Sequence, residues 1–195
     1  MDCPYCHGFL PSGADTCPTC QLSADRVSAL LGPVPAFEQP VGDRTGHFQS
    51  KTKKQLADRI GEIEHHFPQI RIRVVMGRFG AEHPLSLHAF WLFNSGQFCG
   101  AAERLGHNRM ILVVIDPEHL RAAIAPGYGL EPFFSHENLD AILELARPSW
   151  RGGLWAAGIR AVLDGLEKEL TSIARNIEEA FGIVSHTEHR PGGTF

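Results

Sequence analysis

Met110-Ile111-Leu112-Val113-Val114-Ile115, then Asp116-Pro117-Glu118-His119, then Leu120-Arg121-Ala122-Ala123-Ile124-Ala125 is the stretch on which the fold turns. The first run is continuously apolar and rich in β-branched residues. That pattern predicts a central strand buried on both faces. Asp-Pro-Glu-His supplies turn chemistry, and the last run alternates. Four residues cannot make a crossover, so the two strands are expected to be antiparallel neighbours.

Working outward, Ile70-Arg71-Ile72-Arg73-Val74-Val75-Met76 alternates with period two and reads as a further strand. Before it, Leu56, Ile60, Ile63 and Phe67 form one apolar stripe. Ser50 is the expected N-cap of this helix, which runs to about His66, and Pro68 ends it. A helix from Pro84 to about Asn94 precedes the central strand. Ser135 is expected to cap a helix from His136 to about Ala146, stopped by Pro148. The last helix covers about Gly153 to Ala180. Its Ala156, Ala157, Gly158, Ala161 and Gly165 are expected to let it approach a sheet closely. Strands interleaved with helices make an α/β fold.

The N-terminus is of another kind. Cys3-Pro-Tyr-Cys6 and Cys17-Pro-Thr-Cys20 are two C-x-x-C knuckles separated by ten residues. Four thiolates at such spacing suit a closed tetrahedral Zn2+ site, and a stretch this short cannot build its own core. Binding such a zinc releases on the order of 10–16 kcal/mol, which is effectively folding free energy. His7 is the alternative ligand. Residues 1–22 contain no Lys or Arg, so they lack the cations that phosphate contacts need. The module is therefore expected to bind protein and not nucleic acid. Residues 23–40 read as a Pro-containing linker with a short helix from Ala24 to Leu31. Residues 41–180 form the main domain, and 181–195 a flexible tail.

Of 195 residues, 43% are hydrophobic and 21% charged, with a net charge of -4. This is a globular composition without an overall basic field. There is no spanning segment of about 18 apolar residues and no secretory signal pattern. A cytosolic location is expected, where paired thiols favour metal over disulfides. Cys99, flanked by glycines, reads as a buried inert thiol. Eleven histidines show no H-E-x-x-H spacing. His65 and His66 are expected to face solvent, and His186 and His189 to lie in the tail.

Residues 41–170 resemble the TPM domain, a family named for thylakoid and photosystem-repair proteins and a receptor modulator. Val41-Gly42-Asp43 with Leu56 looks like the family's opening. The strands at 70–76 and 110–115, Trp91, and the Arg-bearing second strand follow in order. Ala125-Pro126-Gly127-Tyr128-Gly129-Leu130-Glu131 looks like its GYGLE box. Arg147-Pro148-Ser149-Trp150-Arg151-Gly152-Gly153 with Ala157-Gly158 is similar to its closing segment. Residues 1–22 separately resemble a bacterial zinc ribbon. The resemblance implies a three-layer α/β/α sandwich with a small mixed β-sheet, preceded by the ribbon. Members are described as acid-phosphatase-like, with carboxylates that bind a divalent ion, or as accessory factors of membrane complexes. Gly106-His107-Asn108-Arg109 departs from the family pattern, because many members carry an acidic sequence there.

Two functional readings follow. In the first, the chain is a protein-interaction or quality-control accessory module, its partner a protein such as a membrane-complex factor. In the alternative, it is a metal-dependent phosphatase. Asp43, Asp116 and Glu131 would then hold Ca2+ or Mg2+. Arg151 would clamp the phosphoryl anion, and Tyr128, between Gly127 and Gly129, would orient it. Each residue also has a plain role. Asp43 and Asp116 suit turns, Glu131 can simply lead into a helix, and Arg151 can pin a loop. Gly127 and Gly129 can supply the backbone angles of a tight connection.

Overall fold

The computed structural model describes residues 3–11, 14–95 and 108–181. The expectations for Cys99, Gly106, His107, His186, His189 and the tail beyond 181 fall outside the described residues. The elements run α1 (Ala24–Leu31), β1 (Val41–Asp43), α2 (Ser50–His66), β2 (Arg71–Met76), α3 (Leu85–Ser95), β3 (Met110–Asp116), β4 (Arg121–Pro126), a 3-10 turn (Glu131–Phe133), α4 (His136–Arg151) and α5 (Trp155–Phe181).

One four-stranded sheet has the order β1-β2-β3-β4. β1 and β3 both lie parallel to β2, and β4 returns antiparallel to β3, pairing Asp116 with Arg121 and Ile111 with Pro126. All of β3 is buried, as its unbroken apolar run requires. Leu120 takes a left-handed φ of 52° and ends the hairpin turn, so β4 begins at Arg121 and not at Leu120.

The pleat sends alternate side chains to opposite layers. Ile72, Val74, Met76, Ile111, Val113 and Ile115 pack under α2, α4 and α5. Val75, Met110, Leu112 and Val114 pack under α1 and α3. The result is the α/β/α sandwich with a small mixed sheet. The segment before β1 belongs to the second layer. Val27 is fully buried, and Trp91 Nε1 donates to the carbonyl of Gly32 at 3.0 Å.

Three local expectations need correction. Gln49, not Ser50, occupies the N-cap of α2, without a side-chain cap bond. Pro148 does not stop α4, which continues to Arg151. Proline removes only its own N–H bond and crowds the turn before it. Burial of Ala146 and Trp150 on either side of it holds the last turn in place. Gly158 and Gly165 of α5 face α4 and not the sheet: an added Cβ at Gly158 would overlap the Trp150 indole, and one at Gly165 would come within 3.0 Å of Ile142 Cγ2; Ala157 is exposed. Ser135 does cap α4, accepting from Asn138 N–H at 3.1 Å. No described helix is long and apolar enough to cross a membrane.

Candidate functional site

The two knuckles fold into matching loops. Cys3 N–H donates to Gly8 O, and Cys17 N–H to Leu22 O; His7 N–H donates to Cys3 O, and Gln21 N–H to Cys17 O. The residue after each second cysteine is left-handed, with φ of 56° at His7 and 59° at Gln21. This turns the backbone N–H groups toward the sulfurs. The four Sγ atoms lie within 4.8 Å of one another, with Cys3–Cys20 at 3.6 Å and Cys6–Cys17 at 3.8 Å. A tetrahedron of sulfurs about 2.3 Å from a central ion has edges of about 3.8 Å, so the quartet fits a metal ion. The backbone N–H of Cys20 leads in lowering the Cys17 thiol to about 6, whereas burial pushes Cys20 up to about 12. Four thiolates this close need a cation between them. His7 is exposed and outside the quartet.

Asp43 ends β1 and is spent on the loop after it. Oδ1 accepts from Thr45 N–H at 2.8 Å, Thr45 Oγ1 at 2.6 Å and Gly46 N–H at 3.1 Å; Oδ2 accepts from Phe48 N–H at 2.7 Å. Burial pushes its carboxyl upward, but these hydrogen bonds outweigh it and hold the pKa below the ordinary value. Thr45 Oγ1 also meets His47 Nδ1 at 2.6 Å, and the His47 ring stands edge-on to Trp155 at 5.7 Å.

Asp116 ends β3 fully buried. Its Oδ2 accepts from Arg121 NH2 at 2.6 Å and meets His119 Nδ1 at 2.8 Å. Arg121 in turn donates to the carbonyls of Phe79, Gly80 and His83. The pair therefore pins the β2–α3 loop onto the β3–β4 hairpin. Asp116 Oδ1 has no partner among the described residues. His119 was readable in the sequence only as part of the turn; its i+3 spacing from Asp116 was the available signal.

Asp43 and Asp116 share the carboxyl end of the sheet but not one pocket. Asp43 pairs with Met76, which pairs with Ile115, so two strand widths, about 10 Å, separate Asp43 from Ile115. Asp116, one residue on, points to the opposite face. Arg151 is exposed at the last turn of α4. The preceding Trp150 stacks on Trp155 at 6.4 Å, which places Arg151 near the same end as Asp43.

Glu131, Tyr128, Gly127 and Gly129 lie at the other end. Because β4 runs antiparallel, Gly127 N–H returns to Met110 O at 2.8 Å and Gly129 N–H to Asn108 O at 2.8 Å. The length of β3, about 20 Å, thus separates Glu131 from Asp116. Neither glycine has a positive φ, contrary to the expectation of special backbone angles. Gly129 is required by closeness: a Cβ there would sit 2.9 Å from Asn108 O. Burial raises the Glu131 carboxyl above its ordinary pKa, and Tyr128 is half exposed.

Between these ends runs a groove of about 770 Å³ along β4. Leu85, Ala89 and Phe90 of α3 and Pro4 of the first knuckle form one wall; Leu139 and Leu143 of α4 form the other. Ser86 Oγ donates to Pro4 O at 2.7 Å, so the knuckle is fastened to α3.

A family model described as the TPM domain matches residues 41–169. Three solved structures are similar in fold. The N-terminal domain of the cg2496 protein from Corynebacterium glutamicum is 20% identical with a TM-score of 0.50, over 69% of this chain and 82% of that one. The N-terminal domain of a P. gingivalis protein is 21% identical with a TM-score of 0.51, over 69% and 83%. The BA42 protein from Bizionia argentinensis is 14% identical with a TM-score of 0.56, over 67% and 86%. No curated protein matches the sequence.

Proposed function

Because the chain belongs to the TPM domain family, whose model matches residues 41–169, we propose that it is a protein-binding accessory module of the cytosol and not a hydrolase. The observation that carries this is the dispersal of the carboxylates. Asp43 is occupied by its loop and Asp116 by Arg121 and His119, while Glu131 stands a strand length away. A hard divalent cation needs several oxygens at about 2.3–2.6 Å, and a metal-assisted phosphatase needs that cation beside the phosphoryl group. The cysteine quartet suits Zn2+ held structurally, since four thiolates leave no open position for chemistry. The partner class is protein, a membrane-complex factor being the kind that the resemblance implies.

Turnover of an aryl phosphate with Mg2+, Ca2+ or Mn2+, from acidic to neutral pH, tests the reading. No hydrolysis above the metal blank is expected. Hydrolysis that disappears in Glu131→Gln, with the circular dichroism unchanged, would overturn it in favour of the phosphatase.

A further inference from the structure

We propose that an extended, basic segment of a partner protein adds as a fifth strand to the edge of β4 that no described strand pairs with, lying in the groove between α3 and α4. This rests on the protein-binding reading and names the surface that would serve it.

The register decides which backbone groups are free. Gly127 pairs with Met110 and Gly129 with Asn108 through hydrogen bonds. In an antiparallel ladder, bonded and non-bonded pairs alternate. Arg121, Ala123 and Ala125 therefore bond to β3, whereas Ala122, Ile124 and Pro126 direct their backbone groups outward. Pro126, which has no N–H to offer, stands at an outward position, where an edge strand tolerates it. The centre of the edge keeps the N–H and C=O of both Ala122 and Ile124. Natural edges are usually blunted by charge, bulges or cover; here small and apolar residues form the floor of a groove.

The walls select the occupant. α3 and α4 stand on the two faces beside the edge, so a second copy pairing edge to edge would drive its own α3 and α4 into these walls. A single extended strand has no such layers. β4 offers six residues, about 20 Å, and each wall carries apolar residues, Leu85, Ala89 and Phe90 on one side and Leu139 and Leu143 on the other, which suits apolar side chains pointing alternately to each. Charge gives the rest of the chemistry. Arg121 and Arg147 line the groove already paired, with Asp116 and Glu144. Glu131 and Asp140 line it too, and neither forms a salt bridge to a described Lys or Arg. His7 and His136 also line the groove; with both neutral the charge left without a Lys or Arg is negative, so the complementary strand carries Lys or Arg toward the Glu131 end.

The test pans a random peptide library against the metal-loaded full chain and measures the affinity of the enriched peptides. Apolar alternation with a Lys or Arg is expected, with slowed hydrogen exchange at the Ala122 and Ile124 amides. Ile124→Pro removes one outward N–H without breaking a β3 pair and is expected to weaken binding about tenfold or more. N-methylation of alternate peptide amides should do the same on the unaltered protein, which keeps the test decisive if the variant fails to fold. Asp140→Asn should weaken basic peptides selectively. Enriched peptides indifferent to Ile124→Pro and to N-methylation would overturn the edge while leaving the protein-binding reading standing. A concentration-dependent dimer that Ile124→Pro dissolves would overturn it in favour of self-pairing. Metal-dependent aryl phosphate hydrolysis would instead remove the reading beneath it.

Discussion

The indole of Trp150 lies flat against the backbone of Gly158, where a side chain of any size would overlap its Nε1. This contact joins the two halves of the closing motif. It seats α4 on α5 and lets the proline-bearing turn of α4 persist. Trp150 Nε1 is buried there with no hydrogen-bond partner among the described residues, so packing alone holds it.

Gly158→Ala is therefore expected to destabilise the fold by about 1–3 kcal/mol, the usual cost of overpacking, although alanine is the better helix former. Chemical denaturation measures it. Adding Trp150→Phe to Gly158→Ala should recover part of the loss, and strictly additive effects would separate the two residues.

Removing the metal should unfold the knuckles and spare the sheet. A strong chelator is expected to release one ion per chain and to expose the thiols of Cys3, Cys6, Cys17 and Cys20 to a thiol reagent. Amide protection should be lost in residues 3–22 and kept in β3. Elemental assay combined with hydrogen exchange reads both. Cys17→Ser should lower metal retention sharply, because structural metal affinity and local folding are the same free energy.

Acid should loosen the β1–α2 loop through Asp43. Its folded pKa lies below the ordinary value, so its contribution is present above the unfolded pKa, about 3.9, and is lost as pH falls through the folded one. The Asp43 carboxyl resonance should titrate below that of an unfolded peptide. Asp43→Asn should cost about 1–2 kcal/mol at neutral pH, since an amide cannot accept at both positions.

Asp116→Asn should be more damaging, about 3 kcal/mol, because it leaves Arg121 without its countercharge in a partly buried place. The carbonyls of Phe79, Gly80 and His83 still hold Arg121, which limits the loss. Increased exchange in the β2–α3 loop, with thermal unfolding at lower temperature, would report it. A purely catalytic Asp116 would leave stability unmoved.

The hairpin of β3 and β4 was legible because its pattern is strong: six apolar residues, a turn too short to cross over, then alternation. The alternation of strands and helices gave the α/β class, the family resemblance implied the sandwich, and the cysteine quartet followed from spacing alone. Boundaries that depend on tertiary contact were not legible. Nothing local to Pro148 reveals that Trp150 beyond it is held by Gly158. The small face of α5 announced a close neighbour without saying which one. The site was the least readable part. Whether Asp43, Asp116 and Glu131 meet depends on which end of each strand they occupy and which face they point to. The reversal of β4 carries Glu131 away from both aspartates, and the sequence states the reversal without stating that consequence.

The anchoring of residues 23–40 bears on where this protein can be cut. The family match starts at Val41, but Val27 is sealed against α3 and Gly32 receives the Trp91 indole. A fragment trimmed to the matched boundaries would lose α1 and leave α3 to cover that layer alone. It would bare Trp91 and its neighbours to water and should clump where the full chain stays dispersed, so the smallest unit able to stand alone begins before the recognisable domain does.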